Sequence, residues 1–538
     1  MRKGIACLAI AAGLLLTLPR LTRAAAEKPA LKPKFHTSDR CLACHNELTT
    51  SSGQDVSIGL HWRASIMANS ARDPYWQASV RREVIDHSES KSDIEDECSV
   101  CHMPAARYEA KQQGKKGQVF SFLPFAEHPK SVAEDGVTCS VCHQISKEKL
   151  GTRESFNGGF VVEAPESKDN RPEYGPFAIA QGQQRIMDSS TGGFRPTQAE
   201  HIRESALCGS CHQLYTTARG AGGKNSGYLP EQMPYLEWLH SDYPNKYSCQ
   251  ACHMPEVHEP VRISSALGVP RTGLHQHVFV GGNFLLQGML NRYRDDLAVD
   301  AQPQELTSAA AGTLAFLQSQ SARVTIRNLE VAAGNLRAEV FVQNLTGHKL
   351  PTAYPSRRAW IHFVVRDRHG NTIFESGALS ADGSIKGNDN DADKERYEPH
   401  YAEITSDEQV EIYEAILKDT AGRVTTGLLA AIGYLKDNRL LPTGFDKKTA
   451  DKDIAVVGEA ADEPNFTAGG DLVRYSISTG NAEGPFHVEA ELWYQPIGFR
   501  WAHNLAPYNA AETQRFVHYY ESMSSTTGTI LARAEATH

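Results

Sequence analysis

Ten of the eleven cysteines in this chain sit in five copies of one pentapeptide. The copies are Cys41-Leu-Ala-Cys44-His45, Cys98-Ser-Val-Cys101-His102, Cys139-Ser-Val-Cys142-His143, Cys208-Gly-Ser-Cys211-His212 and Cys249-Gln-Ala-Cys252-His253. Two thiols three positions apart on a turn can each form a thioether with one vinyl group of a haem. The histidine that follows is then carried under the iron as proximal ligand. Composition alone gives about 0.01 matches to this pattern per chain, so five copies are not chance. Paired zinc sites would not demand a histidine directly after every second cysteine. A disulfide framework leaves the same five histidines unexplained, and iron–sulfur runs cluster more closely. The motifs therefore predict five covalently attached haem c groups, held by these ten cysteines and by His45, His102, His143, His212 and His253.

What each iron does depends on its other axial position. A second histidine closes it for electron transfer, whereas an open position admits substrate. The chain has 22 histidines, leaving 17 beyond the five proximal ones. Context favours His61, which opens an apolar-faced helical run, together with His128 and His201, which stand just upstream of Cys139 and Cys208. His277 is followed by the Gly281–Gly282 pair, which permits close backbone approach to a macrocycle. His348 lies in a turn between two expected strands. His87, His240 and His275 stand in reserve.

These side chains need elements to position them. Residues 1–26 read as an export signal, with basic Arg2 and Lys3, an apolar stretch from Ile5 to Leu18 and a small-residue site at Ala24-Ala25-Ala26. The remaining cysteine, Cys7, falls within it. Removing that segment takes four basic residues and no acid, moving the formal charge from -9 to -13. That acidic balance argues against nucleic acid as a partner. Residues 27–300 read as a helical and loop-rich multihaem domain, at about 43 residues per motif between 41 and 253. So little polypeptide cannot build a side-chain core around each cofactor, and the macrocycles must supply much of the apolar interior. Residues 151–200 read as a long loop over the haems. Residues 301–320 carry apolar side chains at helical spacing as a connecting helix. From 321 to 538 the period becomes two: Leu336, Ala338, Val340 and Val342 share one face, and 359–366 reads as a more fully buried strand. The fold class expected is α+β, with an antiparallel, immunoglobulin-like β-sandwich after the haem domain. Asp382 to Arg396 reads as an exposed loop, and 510–523 as a helix.

The pentapeptides, the run His61-Trp-Arg-Ala-Ser-Ile-Met-Ala-Asn-Ser-Ala-Arg-Asp-Pro, Asp135-Gly-Val-Thr-Cys, Glu200-His201-Ile-Arg-Glu-Ser-Ala-Leu-Cys, Asn344-Leu-Thr-Gly-His348-Lys-Leu-Pro-Thr and Lys436-Asp-Asn-Arg-Leu-Leu-Pro resemble exported bacterial multihaem c-type cytochromes. The haem part is similar to the nitrification-type tetrahaem cytochromes. The resemblance implies closely spaced bis-histidine haems and supports His61, His201 and His348 as distal ligands. Five motifs and a large haemless β part depart from that pattern, so the pairing of distal histidine to haem does not carry over. The expected function is electron transfer between periplasmic or cell-surface redox partner proteins, without catalytic residues. Peripheral association with a membrane complex and self-association fit the same reading. The alternatives are a multihaem reductase or oxidase of a small nitrogen or sulfur oxyanion, and a subunit of a conductive filament.

Overall fold

Each attachment pentapeptide folds around one helical turn, because cysteines three apart and a histidine at the fourth position match the helical period. The turns belong to the helices Asp39–Leu42, Lys91–His102, Cys139–Cys142, Ser205–Gly209 and Cys249–His253. In the first, third and fourth, the histidine amide donates to the carbonyl of the motif's first cysteine at 3.0, 3.2 and 2.9 Å. The computed structural model describes Met1 and residues 35–123, 131–163 and 170–538. The export-signal reading, Cys7 and His128 lie outside the described residues.

Longer helices separate the motifs. Pro74–Asp86 begins where the Asp73 carboxylate accepts from the Tyr75 and Trp76 amides at 2.8 and 3.1 Å, with proline at the first position, where no amide is needed. Tyr75, Trp76, Val80 and Val84 form its buried face. The 151–200 segment is not simply a loop. It contains a parallel β–α–β unit, Arg171–Gly175, Gln181–Thr191 and Phe194–Gln198. Its helix buries only Thr191, so it carries no apolar stripe for a periodicity argument to find.

The connecting helix, Pro303–Gln320, packs against Phe284–Arg292. Beyond it lie two larger sheets, and the class is α+β. One runs Glu403–Ile404, Gly470–Ser478, Asn335–Asn344, Ala322–Ala332. The other runs Thr372–Ser376, Arg358–Arg366, His487–Gln495, Thr529–Thr537, with Ile412–Tyr413 also paired to Arg358–Arg366. Leu336, Ala338, Val340 and Val342 are all buried, as their alternation requires. The sheets meet through this face: Phe363 of one stacks on Tyr475 of the other, centroids 3.8 Å apart. A third sheet, Val424–Thr425, Ala415–Asp419 and Ala431–Asp437, packs on the strand Asn225–Gln232, so the β elements clasp the motif-bearing part.

The acidic stretch Asp382 to Arg396 departs in part from the exposed loop expected of it. Asp391 is buried and receives both Nη atoms of Arg358 at 2.8 and 2.9 Å, plus the Ile385 amide at 2.8 Å. The loop is exposed at Asp382, Lys386 and 392–396, as expected, and departs from that reading at Asn388, Asn390 and Asp391, which are buried.

Candidate multihaem site

One continuous cavity of about 1490 Å³ receives residues from all five pentapeptides. Its wall includes the ten cysteines, the five motif histidines, His275, His277 and His348. Small-molecule pockets span about 300–1,000 Å³, so this one is sized for several groups rather than one substrate.

The imidazoles show how metal would be held. His143 and His277 face each other with ring centroids 6.3 Å apart and planes 16° from parallel. His253 and His348 repeat the arrangement at 6.3 Å and 14°. Two metal–nitrogen bonds of about 2 Å, plus about 1.1 Å from each nitrogen to its ring centre, span about 6.2 Å, so each pair leaves room for one iron. The other ring nitrogen is occupied in each case. Nδ1 of His143 donates to the Tyr174 carbonyl at 2.6 Å, His253 to Val280 at 2.6 Å, His277 to His275 at 3.0 Å and His348 to Lys349 at 2.8 Å. His45 donates likewise to Ile263 at 2.6 Å and His102 to Ser70 at 3.0 Å. A donated Nδ1 proton fixes the tautomer that leaves Nε2 with a bare lone pair, the arrangement a metal ligand needs. Burial favours the neutral ring as well, holding His102, His212 and His348 down to about 4 and His277 to about 3.

The remaining expected ligands differ in geometry. His61 is partly buried, and its Nδ1 has no partner among the described residues. His201 is buried and spends Nε2 on the Ile145 carbonyl at 2.8 Å, which leaves Nδ1 as its free nitrogen. Of the reserves, His275 donates Nδ1 to the Met254 carbonyl at 2.6 Å, His240 has an unpartnered buried Nε2, and His87 faces Glu83 at 3.9 Å. His275 and His240 thus carry more of the ligand signature than their sequence context suggested.

Several groups here gave no sequence signal. Trp76 lies flat on His102, centroids 4.3 Å apart and planes 3° from parallel, which fixes that ring's plane. Arg357 acts electrostatically on His212, His253 and His348 at once. The buried Glu231 carboxyl also lines the cavity, where burial pushes it up to about 7. A lone tryptophan, arginine or glutamate in sequence is most often packing or surface, so only the fold could single these out.

The five motifs are also close to one another. Cys41 meets Cys139, Cys101 meets Cys211, and Cys208 meets Cys249. Cys142 also lies near Cys211. The fourth motif therefore adjoins the second, third and fifth, and the third adjoins the first.

No family model matches the chain, and no curated protein does so. Among solved structures, a penta-heme cytochrome c552 from Thermochromatium tepidum matches over 94% of this chain and 99% of its own, with a TM-score of 0.54 and 15% identity. At that identity the likeness is one of fold: this chain shares its overall fold with that protein.

Proposed function

We propose that the protein is an exported pentahaem c-type cytochrome that transfers electrons between redox partners. The carrying observation is the pair of facing imidazole couples, His143 with His277 and His253 with His348, each joining a motif histidine to a distant one at iron-spanning separation. The five haems supply reversible one-electron chemistry at iron. The chain does the rest. Its ten motif cysteines fix the macrocycles covalently, and four of its proximal histidines, His45, His102, His143 and His253, are held in one tautomer by backbone carbonyls. The distal set is His277, His348, His61 and His201, the last through Nδ1, with His128 in the sequence-assigned set. Motif adjacency supports a branched array, first to third to fourth, with the second and fifth also joined to the fourth. The β part reads as a docking module, and the acidic surface favours basic patches on redox partners.

The test is haem content and spin state. Purified protein is expected to give five haems per chain by the pyridine haemochrome assay, with low-spin signals dominating its electron paramagnetic resonance spectrum. A count below five, or a mainly high-spin spectrum at full occupancy, overturns the reading. Arg357 favours a second reading, reduction of a small oxyanion, because it puts a cation beside three ligand imidazoles. That reading requires one high-spin haem whose reduced form is reoxidised by nitrite or sulfite.

A further inference from the structure

Away from the cavity, His400, Glu411 and Asp471 come together between the two larger sheets. His400 precedes the strand Glu403–Ile404, which pairs with Gly470–Ser478, the strand that carries Asp471. Glu411 precedes Ile412–Tyr413, which pairs with Arg358–Arg366 of the other sheet. None of the three lines the haem cavity. One ligand atom from each lies within 4.8 Å of the others. All three are buried, with the His400 side chain 2% exposed and that of Glu411 0%.

The polar contacts are incomplete in one place. His400 Nδ1 lies 2.8 Å from Glu411 Oε1, which also accepts from Asn438 Nδ2 at 2.8 Å, while Glu411 Oε2 accepts from the Tyr401 amide at 2.6 Å. The Tyr413 hydroxyl donates to Asp471 Oδ2 at 2.8 Å. Among the described residues, His400 Nε2 meets neither donor nor acceptor. Neighbouring charge is matched elsewhere: the Lys436 ammonium is held by the Ile412 carbonyl at 2.8 Å and by Glu414 at 3.3 Å. With a neutral imidazole and both acids ionised, the cluster would carry a formal charge of -2 where water does not reach, and burial already pushes the Asp471 carboxyl up to about 7. Burying such charge without a counter-ion is strongly unfavourable.

We propose that His400, Glu411 and Asp471 bind one divalent metal ion that ties the two sheets together. One imidazole nitrogen and two carboxylates form a mixed nitrogen–oxygen set, which suits zinc better than calcium, whose ligands are all oxygen. A dication cancels the two carboxylate charges. Asn438, Tyr413 and the Tyr401 amide orient the carboxylates from outside, as supporting hydrogen bonds do around metal ligands. Because the ligands come from three separate segments, the ion would be taken up as the fold forms.

The experiment uses the full haem-loaded protein produced in zinc-supplemented medium. Elemental analysis is expected to find about one non-haem divalent ion per chain, and anomalous diffraction at the zinc edge to place it among these three side chains. The double variant Glu411→Gln, Asp471→Asn is expected to lose at least tenfold of that metal while keeping its haem absorbance. Another divalent ion at the same position supports the site equally. If the double variant does not fold, the wild-type crystal decides. The proposal is overturned if wild type carries less than about a tenth of an ion per chain, if the anomalous peak lies elsewhere, or if the folded variant keeps its metal.

Discussion

At His277 and His348 one ring nitrogen is spent on a backbone carbonyl, and the other faces a motif histidine across the width of an iron. Each side chain should therefore account for one haem. His277→Ala and His348→Ala are each expected to convert one of five haems to high spin, read as a new high-spin ferric signal and a roughly one-fifth loss of low-spin intensity. An unchanged spectrum in either variant would remove that residue from the ligand set. A different residue-scale consequence follows from Arg358, whose guanidinium is 4% exposed and paired to Asp391. Asp391→Ala strands that charge, at a cost of about 3–5 kcal/mol. Urea unfolding of the variant should show this loss, and Asp391→Asn, which keeps a hydrogen-bonding group, should lose less.

The turn that carries His348 depends on a buried ionic network drawn from separate elements. Lys349 Nζ donates to Asp437 Oδ2 at 2.8 Å, Arg439 binds both Asp437 oxygens at 2.8 Å, and Arg439 also reaches Glu237 of the helix Pro234–Leu239 at 3.0 Å. Glu237 in turn accepts from the Lys349 amide at 3.1 Å. Burial alone would raise the Asp437 carboxyl, but Arg439 and Lys349 outweigh it and hold the group at about 2. Its ordinary value is about 3.9. A carboxyl depressed on folding adds stability that is fully present above the unfolded value and is lost as pH falls through the folded one. Stability is thus expected to decline as pH drops from about 4 to about 2. Asp437→Asn should flatten that decline, measured as urea midpoint against pH, and should also perturb the haem facing His348. A variant with an unchanged acid limb would show that Asp437 does not set it.

Across the whole molecule, the cavity decides whether the chain can fold without its cofactors. Without the haems, the apolar side chains that wall this cavity of about 1490 Å³ would face water, and the segments between the motifs would lose the surface they bury. Replacing the ten motif cysteines by serine is therefore expected to give a chain whose 35–300 region is cleaved rapidly by protease. Native-like protease resistance there would mean that side chains alone make the core.

The sequence by itself determined where the five pentapeptides stand and that each winds one helical turn, because two thiols and a histidine at that spacing need no distant partner. It also marked the strand Asn335–Asn344, whose alternation records its buried side, and the apolar run 359–366, but not the comparably long Gly470–Ser478 and Thr529–Thr537. It did not reveal the helix Gln181–Thr191, which buries almost nothing, or the burial of Asp391, whose partner is remote. Only the tertiary structure decided which distant histidine faces His143 or His253, and which motifs adjoin. A distant imidazole reaches His143 or His253 through chain closure over about a hundred residues, and closure of that length leaves no local mark on composition or spacing.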